Sequence, residues 1–481
     1  MEDTISRPTL IDEDEPSRTV EVTSPPTLAE GAELMGEFEG SGYREAPQLV
    51  CRADGQMVHL PPVLYLIVQV MDGQRDAAAP LDRDQVLAQV AEVVSQQTGR
   101  TFGADHISYL LDKKLAPLGV TTYSDGSAPA TEKANPRLSL RFRLGVVPES
   151  VTWVLGGLFA WLYRPAAMAL AVPAAIAAEI WAFGVEDMGA ALQEVLLVPA
   201  GVLMVVFLTV FSTAFHEIGH AAACRYGGAA PGRMGCGIYL VWPVFYTDVT
   251  NSYRLGRRGR LRTDLGGVYF NALFVIGLVG LYLQTGLEPF LVAILATNLE
   301  MIRQLLPTLR FDGYYIVSDL VGLPDLFKYI GPILKRTFLR YPPDPQLKAL
   351  KQWPQRIVSG WVLIVLPVLV VQLGFIAFQV PYLLQTALNR VQALVDNVTG
   401  ASGSYPDPIA LTTDAFHAFM LMLPVAGLIM ITVIWIRAVI RITRRRAQQP
   451  GPRHLAHRNR RSDMFHDIPS GKQLGPARHR A

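Results

Sequence analysis

Six apolar stretches limit what this chain can become. They lie near 166–183, 195–215, 265–284, 289–306, 357–379 and 415–436. Each approaches or reaches the ~20 residues that a membrane-crossing helix requires. Half of the 481 residues are hydrophobic and only 17% are charged, and mean hydropathy is +0.26. A single globular domain does not have this composition. The pattern predicts a multi-span α-helical membrane protein of about six transmembrane helices with soluble appendages. The shorter stretch 148–163, which runs into Arg164-Pro165, is expected at the interface or as a re-entrant helix.

Arginine and lysine set the orientation. Arg137, Arg141 and Arg143 precede the first span. Seven arginines from Arg225 to Arg262 lie between the second and third, and a further basic set from Arg310 to Arg356 between the fourth and fifth. Arg437 to Arg446 follow the sixth, whereas the alternate connections around Glu186-Asp187 and Glu288 hold no Lys or Arg. The positive-inside rule then predicts a multi-pass cell-membrane protein with both termini cytoplasmic. Net charge is only +2, so no global field points to nucleic acid, and none is expected as a partner. The lipid bilayer is. Cys51, Cys224 and Cys236 form no disulfide framework and suit a reducing compartment.

The second span ends in His216-Glu217-Ile218-Gly219-His220. On a helix, two histidines four residues apart fall nearly into line, ~6 Å along the axis. Two imidazole nitrogens can then meet one Zn²⁺, with Glu217 displaced round the helix and close enough to take a proton from a water. Ionisable groups at the end of an apolar span are costly unless they have a role. Cys224 continues the stripe but lies ~12 Å from His216, too far for the same ion, and reads as a packing residue. A zinc centre with an open position needs a third protein ligand. The fourth span runs in the same direction as the second, so its end near Leu306–Asp312 reaches a similar depth. There Pro307 and Gly313 interrupt the helix, and Asp312 projects from the break. The expected set is His216, His220 and Asp312 on zinc, with Glu217 as general base.

The soluble parts frame this region. Residues 1–43 are acidic and rich in Thr, Pro and Ser, carry no signal-peptide features, and are expected to be a disordered tail. From Arg44, Leu49–Arg52 and Met57–Leu60 flank Asp54-Gly55 as a β-hairpin, followed by helical patterns near 61–72, 83–98 and 104–116. Residues 44–123 are therefore expected to form a small α+β winged-helix-like domain, 124–147 a linker, 148–440 the membrane-embedded domain, and 441–481 a basic cytoplasmic tail. Glu300 and Arg303, three apart, are expected to pair with each other. Asp248, Thr250 and Asn251 hint at a strand-like platform after the histidine motif. Asp414 and His417 share a face of the sixth span, near its outer end.

Two resemblances follow from these residues. "REAPQLVCRADGQMVHLPP" and "VMDGQRD" resemble PqqD-like domains, which implies a leader peptide bound by β-addition to the hairpin edge. "FHEIGHAAACRYGG", "VFYTDVTNSYRL", "DLGGVYFN" and "LLPTLRFDGYYIVSDLVGLPDL" resemble the site-2 protease family of intramembrane zinc metalloproteases, in its peptide zinc metalloprotease branch. That resemblance implies zinc on His216, His220 and Asp312, Glu217 as catalytic base, and Asn271 helping to hold substrate or oxyanion. Asn271 reads equally as an interhelical hydrogen-bonding residue. The sequence departs from the family at Leu306-Pro307, usually Asn-Pro, and at Val268, often Pro; both bear on how a substrate strand is held. The expected function is zinc endopeptidase cleavage of a peptide or transmembrane protein substrate. The alternative is a non-catalytic peptide-binding receptor or export accessory with a structural zinc.

Overall fold

A computed structural model describes residues 24–74, 81–129, 141–239, 242–307, 310–342 and 344–398, with parts of 411–440. The chain divides into two compact units, the larger comprising residues up to Gln372 apart from 240–242, together with 405–413.

The larger unit begins with a three-stranded antiparallel sheet in the order β1 (Glu33–Glu37), β2 (Gln48–Cys51), β3 (Met57–Leu60). The expected hairpin is β2–β3, in register from Gln48↔Leu60 to Cys51↔Met57. Gly55 takes φ +78° in its turn, which a side chain would disfavour. β1 corrects the expected boundary of the N-terminal tail, because it lies within 1–43. Its stretch ELMGE has no clean alternation and bulges between Leu34 and Gly36, so nothing local announces it as a strand.

Helices α1 (Pro62–Gly73), α2 (Arg83–Thr98) and α3 (Ala104–Leu110) fall where periodicity predicts them. α2 starts on a capping box, in which the Gln85 side chain accepts the Asp82 N–H at 3.0 Å, and stops at Gly99 with φ +66°. Its Val86, Leu87, Val90, Ala91 and Val94 repeat at helical spacing and pack with Val50, Leu60, Ile67 and Ile107 into one buried core. Small α+β domains of this size are stabilised chiefly by such a core.

The next strand, β4 (Arg141–Val147), lies in the stretch expected to be linker. It pairs antiparallel with β5 (Met234–Tyr239) in a second sheet of order β4-β5-β6, with β6 at Trp242–Thr247. α4 (Glu149–Ala160) is the short apolar helix of the 148–163 stretch.

Then come α5 (Pro165–Gly184), α6 (Met188–Leu197), α7 (Pro199–Tyr226), α8 (Arg257–Asp264), α9 (Gly266–Thr285), α10 (Glu288–Leu305), α11 (Asp312–Val321), α12 (Ile330–Leu339), α13 (Pro345–Lys348) and α14 (Gln352–Val398). Among the described residues, four helices are long and apolar enough to cross a membrane: α5, α7, α9 and the bulk of α14. Their large outward side chains, such as Leu170 and Phe207, are exposed, as lipid-facing residues would be. α10 occupies the fourth expected span, but its 18 residues include Glu288, Glu300 and Arg303. The sixth expected span falls on residues described only in part, Asp414 and His417 lie outside the described residues, and so does the tail from 441.

In the larger unit α7 packs against α4, α9 and α10. Its crossing with α9 is close because both sides are glycine. A Cβ on Gly219 would stand 2.3 Å from the Gly266 carbonyl oxygen. The Tyr163 hydroxyl, 3.0 Å from the Gly219 oxygen and 3.3 Å from that of Gly266, ties the crossing together. Gly219 is thus accounted for by helix contact. The second unit contributes the far half of α14, from Leu373.

Candidate metal centre

His216 and His220 stand one turn apart on α7, with His216 roughly 26 Å along it from Pro199. Asp312 opens α11, which packs against α10. A Cβ on Gly313 would lie 2.1 Å from the Leu305 carbonyl oxygen, so only glycine permits that approach. Trp361 Nε1–H donates to the Pro307 carbonyl at 2.9 Å.

These elements bring the three side chains together. His216 Nε2 lies 3.0 Å and His220 Nε2 3.5 Å from Asp312 Oδ2, and the two Nε2 atoms are 3.1 Å apart. Both histidines are buried, and Asp312 is largely so. His220 Nδ1 faces the Thr263 carbonyl at 2.7 Å. A carbonyl only accepts, so Nδ1 carries the proton and Nε2 presents its lone pair inward. Metal-ligating histidines are oriented in this way.

The convergence has the dimensions of a divalent-cation site. Two ligand atoms ~2.1 Å from a tetrahedral zinc lie about 3.4 Å from each other, close to all three observed separations. Without an ion, lone pairs and a carboxylate would crowd one point, and Asp312 Oδ2 is buried there without a hydrogen-bond partner. Two imidazoles and one carboxylate suit zinc. Among the described residues, His216, His220 and Asp312 form the group able to hold a metal ion.

Glu217 is half-buried on the same turn of α7. Its carbonyl accepts from the Thr247 hydroxyl at 3.0 Å, which joins the end of β6 to the histidine helix. Asn271 is buried on α9, where its Oδ1 accepts from the Ser212 hydroxyl at 3.4 Å. Ser212 in turn lies 3.5 Å from the Thr297 hydroxyl of α10. That contact has the form of the interhelical reading of Asn271. Cys224 is buried, its thiol directed at the Ala229 carbonyl, as a packing residue would be. Glu300 and Arg303 pair with each other, Nε to Oε2 at 2.7 Å. Asp248 accepts from the backbone and hydroxyl of Thr250, and Asn251 donates to the Ala230 carbonyl, so this loop is built from local turns.

Behind the centre lies a layer that the sequence did not single out. Asp264 ends α8, Asp319 sits on α11, and Arg260 pairs with Asp319 at 3.0 Å. Burial, reinforced by the neighbouring Asp319 charge, holds the Asp264 carboxyl well above the usual carboxylate range. Burial raises Asp319 as well, against the opposing pull of Arg260. Two buried aspartates read from sequence alone would pass for helix-end residues.

No protein-family model and no solved structure matches the chain. Among curated proteins, "Putative peptide zinc metalloprotease protein YydH" of Bacillus subtilis (strain 168) is similar, at 22% identity over 130 residues. The alignment covers 26% of this chain and 51% of that relative, so the match spans about half of the relative's length. That likeness is to a protein named for zinc peptidase chemistry.

Proposed function

We propose that this chain is a membrane-embedded zinc endopeptidase of the site-2 protease type. The observation that carries the reading is the convergence of His216, His220 and Asp312 within 4.8 Å, beside a glutamate at the following position of the helix. The likeness to a relative named as a peptide zinc metalloprotease supports it.

His216 and His220 would hold the ion through Nε2, and Asp312 through its carboxylate. Zinc bound there supplies an activated water and polarises a scissile carbonyl. Glu217 takes the proton from the attacking water and delivers it to the leaving amine nitrogen. The Nδ1–H of His220, held on the Thr263 carbonyl, keeps that ring's lone pair inward throughout. α9 closes on His216 through Gly267, and both histidines are buried, which limits bulk water and strengthens each electrostatic contact. A helical substrate unwinds locally before cleavage, since a helical carbonyl is already bonded. Arginine placement supports a cytoplasmic level for the centre and both termini. The N-terminal domain, whose sequence resembles PqqD-like domains, would present a leader or substrate peptide.

The test is zinc content and cleavage of a candidate peptide by wild type, His216→Ala, Asp312→Ala and Glu217→Gln. About one zinc per chain, lost in the first two variants and kept in the third, with cleavage lost in all three, is expected. Zinc retained by Asp312→Ala would remove the third ligand. Zinc with no Glu217-dependent cleavage of any peptide would favour a receptor with a structural ion.

A further inference from the structure

Arg260 of α8 is wholly inaccessible. Its Nε–H donates to Asp319 Oδ1 at 3.0 Å, Nη1 to the Leu255 carbonyl at 2.9 Å, and Nη2 to the Glu39 carbonyl at 2.9 Å. The guanidinium also lies 4.4 Å from the centroid of the Phe38 ring. An arginine that only marks the inner side of a membrane stays solvated, as Arg254 does at 40% exposure. Burying the charge carries a large desolvation cost unless every face of the fork is matched. Here it is.

The partners of Arg260 lead to the candidate metal centre from two directions. Three residues on along α8, the Thr263 carbonyl holds His220 Nδ1. Seven residues back along α11 from Asp319 is Asp312, two turns away and on nearly the same face. The third direction is the N-terminal domain, through Phe38 and Glu39. Its β1–β2 connection pairs backbone to backbone with the α11 end and with the segment before α14. Gly42 N–H donates to the Gly322 carbonyl at 3.0 Å, Lys351 N–H to the Gly42 carbonyl at 2.9 Å, and Arg44 N–H to the Ala349 carbonyl at 2.8 Å. A Cβ on Gly42 would meet the Val321 carbonyl oxygen at 2.2 Å, so the fit depends on glycine.

We propose that Arg260 is a positioning residue for the metal centre, and that it works with the N-terminal domain docked. It locks the helix that orients His220 to the helix that presents Asp312, and the docked domain supplies two of its contacts. This rests on the zinc-site reading above. Loss of an outer partner of a metal ligand typically weakens metal affinity about 10- to 100-fold.

The test uses the full-length protein in detergent, with zinc affinity measured by chelator competition, the visible spectrum of the cobalt(II) form, and thermal unfolding. Arg260→Lys and Gly42→Ala are each expected to weaken zinc about 10-fold or more and to shift the cobalt bands at saturation. Arg336→Ala, at an exposed arginine of α12, is expected to match wild type in both. A merely structural role would lower the melting temperature and leave the saturated cobalt spectrum unchanged, which overturns the proposal. Wild-type zinc affinity in a folded Arg260→Lys or Gly42→Ala also overturns it. Gly42→Ala leaves Arg260 and Asp319 in place and carries the test should Arg260→Lys fail to fold. If wild type and His216→Ala take up metal alike, the fault lies in the zinc-site reading, and both fall.

Discussion

A single methyl group at Gly267 is expected to dismantle the candidate metal centre without replacing a ligand. Built on the observed backbone, that carbon would lie 2.1 Å from His216 Nε2 and 2.3 Å from Cε1. Ordinary contact needs about 3.5 Å, so the imidazole must retreat by roughly 1.4 Å or swing away. Metal–ligand distances tolerate only about ±0.2 Å, and either movement removes His216 from the set. The helices cannot absorb the methyl by sliding closer elsewhere, since the neighbouring Gly219–Gly266 contact is already tight. Losing a ligand should exceed the loss of an outer partner, so Gly267→Ala is expected to weaken zinc more than about 100-fold, or about 2.8 kcal/mol. Overpacking adds about 1–3 kcal/mol of destabilisation. The assay is chelator-competition titration beside Gly277→Ala and Gly280→Ala, on the same helix, where an added Cβ meets nothing within 4 Å. Those two should bind zinc as wild type does. Wild-type affinity in a folded Gly267→Ala would refute the assignment of His216 Nε2 to the metal.

Glu217→Gln is expected to keep zinc and lower peptide cleavage by about 10²–10⁴-fold, measured as turnover at saturating peptide. Tyr163→Phe removes the hydroxyl that bonds the Gly219 carbonyl beside Gly266 and is expected to cost about 1–2 kcal/mol, read from thermal or denaturant unfolding. Burial first, then the charges of Lys328 and Arg260, hold the His59 imidazole down at about 4. The unfolded chain binds that proton at a higher pH, so the stability contribution is complete above about 6.5 and is lost as pH falls towards 4. The expected loss is at most about 3 kcal/mol. His59→Phe, beside the rings of Phe38 and Tyr253, should flatten this part of the slope in hydrogen exchange of the N-terminal domain between pH 7 and pH 4; an unchanged slope would refute it.

What could be read from the residues alone was what short-range periodicity encodes. Apolar runs of about twenty residues announced α5, α7 and α9, the Asp-Gly turn announced the β2–β3 hairpin, and helical spacing announced α1 to α3 and the alignment of His216 with His220. Asp312 came into view only through depth in the membrane, because Pro307 and Gly313 marked a break at the right level. Contacts between residues distant in sequence were not legible. β1 carries no alternation and β4 reads as linker until each finds its partner, Cys51 for Glu33 and Ile238 for Arg141. The Thr263 carbonyl that orients His220 is a backbone group, and no residue type advertises it. Arg260 looked like one basic residue among many, and its burial between Asp319 and the Glu39 carbonyl depends on packing across more than two hundred residues. Local pattern selects helices and turns because their bonds join neighbours; only the closed tertiary structure decides which buried charges and carbonyls meet.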